Sequence, residues 1–165
     1  MKNKLIVLGS ILCGIVLIIV AICYTFNKRN EIISKKLELD LENCMVEEDE
    51  DTHGGFLGDG EYFAKIKCSD KQDDYIKKNW KELPLPEKLK RVLDIIRYDN
   101  KGGLNVYDRY NIPNIENGYY YFLDRHSDSI DNKNPEEINN RSSYNFSLGI
   151  YDSNNMILYF YELDT

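Results

Sequence analysis

The chain has 165 residues, 42% hydrophobic and 30% charged, enough for one compact domain and too few for two large ones. Its 28 acidic and 21 basic side chains give a net charge of -7, which excludes a sequence-independent nucleic-acid binder, because attraction to phosphates needs clustered cations. With 10 Gly and 4 Pro against 13 Tyr, 6 Phe and 1 Trp, a disordered or collagen-like chain is excluded as well.

From Leu5 to Ile22 no residue is charged and nearly all are large and aliphatic, and the uncharged run continues to Asn27. As a helix such a run covers roughly 27 to 33 Å, the thickness of a hydrocarbon core, and Tyr24 and Phe26 fall where interfacial aromatics sit. The run exceeds a secretory signal core of about 7 to 15 residues, and no small-x-small triplet follows it in Ile22-Cys23-Tyr24-Thr25-Phe26. Neither Cys13 nor Cys23 follows the small residue that a lipoprotein signal requires. The expectation is a single-pass anchor held in the cell membrane by residues 5–26. Lys2 and Lys4 precede the span and Lys28, Arg29, Lys35 and Lys36 follow it, so the charge rule nearly ties; the short head favours an extracytoplasmic body. Gly9 with Cys13 and Ser10 with Gly14 form small-x-x-x-small pairs, a spacing compatible with a homodimer of spans. The chain then divides into a head and span at 1–27, a juxtamembrane linker at 28–36 and an acidic domain at 37–165.

Residues 1–27 hold two of the basic side chains and no acid, which leaves 19 basic against 28 acidic groups, a net -9, for the body. Such a surface stays soluble, repels anionic lipid heads and steers cations or cationic partners toward itself.

In the body, Leu37, Leu39 and Leu41 alternate with Glu38, Asp40 and Glu42, the period of a strand with one buried face, and predict a first strand over about 36–46. The acidic run from Glu47 to Asp51 opens a loop through Gly60, after which Tyr62, Ala64, Ile66 and Cys68 alternate in a second strand over about 60–68. Ser69 followed by Gln72 fits a capping box, and Tyr75, Ile76 and Trp80 recur at helical spacing, so a helix is predicted over about 70–81, stopped by Pro84. Pro86 suits the first turn of a second helix, on which Leu89, Val92, Leu93 and Ile96 form one stripe. Tyr119 to Leu123 predicts an aromatic strand, and Tyr144–Tyr151 and Met156–Leu163 flank the hairpin signal Asp152-Ser153-Asn154-Asn155. The polar stretch from His126 to Arg141 reads as a mobile loop. The order β-β-α-α-β-β-β is that of an α+β domain: a mostly antiparallel sheet of about five strands with two helices on one face, preceded by one transmembrane helix.

If the first two strands pair across the glycine loop in that register, Cys44 faces residue 61 and Cys68 faces residue 37. The thiols then lie roughly 24 Å apart, beyond the reach of a disulfide, and none is predicted.

Chemistry concentrates in two places. In Asp51-Thr52-His53-Gly54-Gly55-Phe56-Leu57-Gly58-Asp59-Gly60, one of the two histidines sits among four glycines, which implies backbone angles or close approaches that side chains forbid. No Gly-Lys-Ser/Thr ending makes it a phosphate loop. Asp49, Asp51, His53 and Gly54 mimic positions one, three, five and six of a calcium loop, but position twelve is Gly60 rather than a bidentate acid. The second histidine lies in Asp124-Arg125-His126-Ser127-Asp128, where the third strand ends. Convergence of His53 and Asp59 with Asp124, His126 and Asp128 would supply nitrogen and oxygen ligands for a divalent metal, with His53 and His126 as candidate ligands, or a general acid/base pair. The alternative is structural, each histidine tying down its own loop. No cofactor is implied, and no serine or cysteine has the setting of a nucleophile. The tyrosines, including Tyr119, Tyr120, Tyr121, Tyr159 and Tyr161, would form an aromatic face for a glycan or peptide, half of them being core by strand alternation.

The segments Asp51-Thr52-His53-Gly54-Gly55-Phe56, Gly58-Asp59-Gly60, Leu83-Pro84-Leu85, Asn117-Gly118-Tyr119-Tyr120, Asp124-Arg125-His126, Arg141-Ser142-Ser143-Tyr144-Asn145-Phe146 and Tyr161-Glu162-Leu163-Asp164-Thr165 resemble a family of small membrane-anchored proteins of Gram-positive bacteria. The resemblance covers about 40–165 and implies one amino-terminal span, one small domain and no assigned activity; Leu57 departs from the polar or histidine residue expected there in similar sequences. The expected function is that of a surface-tethered domain that binds or senses a partner. Two alternatives stand beside it: a metal-dependent hydrolase built on the His53 and His126 loops, and an immunity-like protein whose acidic face neutralises a cationic toxin.

Overall fold

The computed structural model describes residues 13–18, 25, 28–54, 58–95, 105–138, 141 and 143–165. The predicted span at 5–26 lies largely outside them, and among the described residues no helix is long and apolar enough to cross a membrane. The body is an α+β fold with a six-stranded antiparallel sheet.

Residues 28–37 form helix α1 rather than a linker and the start of a strand. Ile33 and Leu37, one turn apart, are fully buried. The helix ends where Glu38 takes a φ of 50° and the Leu39 N–H donates to the Ser34 carbonyl at 3.1 Å, a Schellman closure. Leu37, Leu39 and Leu41 do alternate with exposed acids in burial, but they sit on a helix end and an irregular connection. Period two reported which side chains go inside, and no ladder accompanies it. The first strand, β1 (Met45–Asp51), is instead the acidic run read as a loop. It is an edge strand of the sheet, where exposed carboxylates satisfy one face and deter pairing with another chain.

Strand β2 (Gly60–Lys67) pairs with β1 from Met45 opposite Lys67 to Asp51 opposite Tyr62, with a bulge between Val46 and Glu48. Helix α2 (Asp70–Asn79) begins as predicted, the Gln72 side chain accepting from the Ser69 backbone N–H at 3.2 Å. A two-residue strand, β3 (Lys81–Glu82), follows and adds the sixth strand. Helix α3 (Glu87–Ile95) buries Leu89, Val92 and Leu93; a short α4 (Val106–Arg109), capped by the Asn105 side chain, was not anticipated. Strands β4 (Gly118–Asp124), β5 (Asn145–Asp152) and β6 (Ile157–Asp164) lie within a residue or so of the predicted ranges. Between β4 and β5 the predicted loop carries a 3-10 turn, Pro135–Glu137, and buries Ile138.

The strand order is β1-β2-β6-β5-β4-β3, so the chain crosses from one sheet edge to the other between β2 and β3. That crossing overturns the expected single helical layer. Helices α1 and α2 share one core with Leu39, Leu41, Ala64, Ile66, Leu158 and Phe160, while α3 and α4 share another with Phe63, Phe122, Leu148 and Tyr161 on the opposite face. On the first face small residues flank Phe160, with Ala64 and Gly149 opposite it on the two neighbouring strands. A Cβ at Gly149 would meet the Trp80 ring at 2.7 Å, so the glycine lets the indole lie against the sheet. Each aliphatic or aromatic side chain hidden this way contributes about 1.5–3 kcal/mol.

Candidate functional site

Strand β6 sends alternate residues to the α1/α2 face. Leu158 and Phe160 are core there, and the same row continues with Glu162 and Asp164. A carboxylate in a core-facing position needs charge partners. Glu162, whose side chain is 3% exposed, has two: Lys36 from α1, and the Arg125 guanidinium at 2.9 Å. Arg125 stands just past β4; it also reaches Asp164 at 2.9 Å and donates to the Ser147 hydroxyl at 3.2 Å. Tyr62 and Ser147 flank Glu162 on the neighbouring strands.

The glycine loop delivers the third group. Thr52 extends the ladder past β1, its N–H donating to the Glu61 carbonyl at 2.8 Å while its hydroxyl accepts from the Glu61 N–H at 2.9 Å. The chain then passes so close to β2 that a Cβ on Gly60 would lie 2.5 Å from the His53 Cα. Glycine at 60 is therefore required for His53 to reach the end of β6. The Asp51 carboxylate accepts from the His53 backbone N–H at 3.0 Å and from its ring Nδ1 at 2.8 Å. An ionised carboxylate only accepts, so Nδ1 carries a hydrogen, which leaves Nε2 as the nitrogen that a neutral imidazole offers to a metal. Nε2 faces Asp164 Oδ2 at 3.3 Å and is buried without a hydrogen-bond partner among the described residues.

His53, Glu162 and Asp164 each offer one ligand atom, and the three atoms lie within 4.8 Å of one another. Two ligands of a tetrahedral ion with bonds of about 2.0–2.1 Å lie roughly 3.3 Å apart, the His53–Asp164 separation. Imidazole with two carboxylates suits zinc or manganese, and the Asp51–His53 contact is the outer-shell bond that orients a ligating imidazole. The group opens on a cavity of about 290 Å³ walled by Arg29, Ile32 and Lys36 of α1 and by Asp49, Asp51 and Tyr62 of the sheet. Arg29 pairs with Asp49 across it. Burial, and next the Asp49 charge, push the Tyr62 hydroxyl up to about 12.

The remaining predicted residues sit elsewhere at the same end of the sheet. His126 has both ring nitrogens engaged: Nε2 with the Ser143 hydroxyl at 3.0 Å, and Nδ1 accepting from the Asp128 N–H at 3.1 Å. Asp124 is buried, pairs with Arg141 and accepts from the His126 N–H at 3.0 Å. Asp128 is exposed, 3.8 Å from the His126 ring, and Asp59 is exposed on the glycine loop, its carbonyl accepting from Gly54. The tyrosines divide by face: Tyr120, Tyr159 and Tyr161 are buried beneath α3 and α4, while Tyr121 lines a cavity of about 230 Å³ with Tyr75 and Trp80, the Lys133 ammonium 5.4 Å from its ring centre.

Glu162 and Asp164 were not anticipated in the site. The signal was present, since both stand in phase with Leu158 and Phe160 on a strand otherwise read as aromatic core. No family model, curated protein or solved structure matches the chain, so the site is read from its own residues.

Proposed function

We propose that the protein is a single-pass, membrane-anchored binding domain whose ligand is a divalent transition-metal cation held by His53, Glu162 and Asp164. The observation that carries this reading is the buried His53 Nε2, 3.3 Å from the Asp164 carboxylate and without a hydrogen-bond partner among the described residues. An imidazole nitrogen and a carboxylate in that relation hold a positive centre between them, a metal ion or a proton. The acidic body supports the reading by drawing cations inward, and the apolar run at 5–26 supports the membrane tether. Lys36 and Arg125 both pair with Glu162, so an ion bound there would displace the Lys36 ammonium while Arg125 keeps its hold on Glu162 Oε1 and Asp164 Oδ1. The ion therefore competes with α1, the segment that follows the tether, and binding is a sensing event as well as a coordination event.

The test is calorimetric titration of the full-length, metal-stripped protein in detergent with Zn²⁺, Mn²⁺ and Ca²⁺, alongside His53→Ala and Asp164→Asn. The expected result is one ion per chain, with Zn²⁺ or Mn²⁺ preferred over Ca²⁺ and affinity lowered roughly 10-fold or more in each variant. Absence of binding to the wild type, or equal binding by both variants, means that a shared proton supplies the positive centre and overturns the reading. Protease accessibility of the body on intact cells tests the tether separately.

A further inference from the structure

Cys44 and Cys68 lie one step beyond the first pair of the β1–β2 ladder, Met45 opposite Lys67, and so oppose each other across two antiparallel strands. Residues directly opposed in this way have Cα atoms about 4.5–5.5 Å apart, within the span a disulfide bridges. Both thiols are free, both are buried in the α1/α2 core, and they are near enough for each to shift the other's titration. The expected separation of roughly 24 Å is overturned, because β1 begins at Met45 and not near residue 36.

We infer that Cys44 and Cys68 form a cross-strand dithiol that closes to a disulfide by exchange with a disulfide donor of the glutathione or oxidoreductase class. Cys44, 9% exposed against 5% for Cys68, is the more accessible sulfur and attacks first; contact with Cys68 holds its pKa below the usual thiol value, while contact with Cys44 and burial push Cys68 up. The Cys44 thiolate displaces one thiol from the donor and forms a mixed disulfide. Cys68 then gives up its proton, attacks the Cys44 sulfur and releases the second donor thiol. Two electrons and two protons leave the pair, and the donor disulfide becomes two thiols.

The position gives the bond a structural consequence. The Cys44 carbonyl accepts from the Asn30 side chain on α1 at 3.1 Å, and the Cys44 N–H donates to Leu41 at 3.1 Å. Cys68 donates to Met156 at 2.9 Å and immediately precedes Ser69, the N-cap of α2. A bridge between them closes the loop that carries His53 and fixes the connection from α1 to the sheet beside the start of α2. It acts independently of the metal reading, since neither sulfur is part of the His53 cluster.

The experiment equilibrates the full-length protein, free of added metal, in buffers of varied reduced and oxidised glutathione, traps thiols by alkylation and maps peptides by mass. Oxidation is expected to yield a Cys44–Cys68 linked peptide, two hydrogens lighter than the reduced pair. It should raise the melting temperature by roughly 10 °C, as closing a loop of about 25 residues predicts. Cys44→Ser and Cys68→Ser, near-isosteric changes, should each abolish the linked peptide and the redox-dependent shift. Full alkylation of both thiols in excess oxidised glutathione, lasting mixed disulfides with glutathione, or linkage to Cys13 instead would each overturn the inference.

Discussion

Lys36, on the last turn of α1, places its ammonium on the carboxylate of Glu162, a residue 126 positions further along the chain and almost wholly buried. The contact fastens the helix that follows the predicted tether to the floor of the candidate metal site. Both partners belong to the α1/α2 face, so occupancy of the site and docking of α1 draw on the same carboxylate.

Lys36→Met should therefore have two opposite effects. Glu162 keeps Arg125 but loses its second cation, and since Lys36 is itself partly exposed the loss is about 2 kcal/mol, below the 3–5 kcal/mol of a fully buried pair. Urea unfolding without metal reads that cost. Removing the competing ammonium should also tighten Zn²⁺ or Mn²⁺ binding by about 5-fold or more in the same titration used for the wild type. A variant that is less stable and binds no more tightly would confine Lys36 to a structural role.

The two histidines should separate cleanly. His126→Ala removes the contacts to Ser143 and to the Asp128 N–H, and should cost about 1–2 kcal/mol in denaturant unfolding. Ion affinity should stay within about 2-fold of the wild type, because both His126 nitrogens face its own loop and neither faces the Glu162 row. Loss of the ion in His126→Ala would restore a two-histidine site and with it the hydrolase alternative.

Local signals carried most of the fold. Leu89, Val92 and Leu93 recur at the helical period, Ser69 and Gln72 cap α2, and Asp152 to Asn155 punctuate the last hairpin; each is a short-range pattern that tertiary packing leaves intact. Elsewhere a long-range choice decided. Leu37, Leu39 and Leu41 bury as a strand would, yet what they meet is Ile33 of α1 and the sheet. Glu47 to Asp51 have poor strand propensity, but an edge position with one solvated side tolerates them. His53 was legible because four glycines surrounded it; Lys36 and Arg125 were not, since their partner Glu162 comes from a distant strand.

Alkaline pH should unfold the domain steeply. Burial pushes Tyr62 and Tyr107 up to about 12 and raises Tyr110, Tyr151 and Tyr161 as well, whereas a tyrosine in the unfolded chain titrates near 10. Each contributes its full stabilising effect below pH about 10. Above that the unfolded state sheds protons the folded state retains, so stability falls by about 1.4 kcal/mol per pH unit per tyrosine until the folded group itself titrates. Tyrosinate absorbance and circular dichroism followed from pH 8 to 12 should change together. Tyrosinate appearing near pH 10 with the fold intact would contradict the burial of these rings.

On the face away from the metal site, Arg109 of α4 pairs with Glu61 of β2, and both side chains are almost completely buried. The Tyr110 hydroxyl donates to the same carboxylate at 3.2 Å. Arg109→Met strands a carboxylate in an apolar setting with only neutral tyrosine hydroxyls beside it, and should cost about 3–5 kcal/mol. Replacing both members, Arg109→Met with Glu61→Leu, removes the desolvation of two ions and should recover most of that loss. The coupling energy from the double-mutant cycle in urea measures the difference, and ion binding by the double variant should match the wild type, since the sheet lies between this pair and His53. If Arg109→Met alone unfolds within about 1 kcal/mol of the wild type, α4 does not seal this carboxylate from water and the pair is a surface contact.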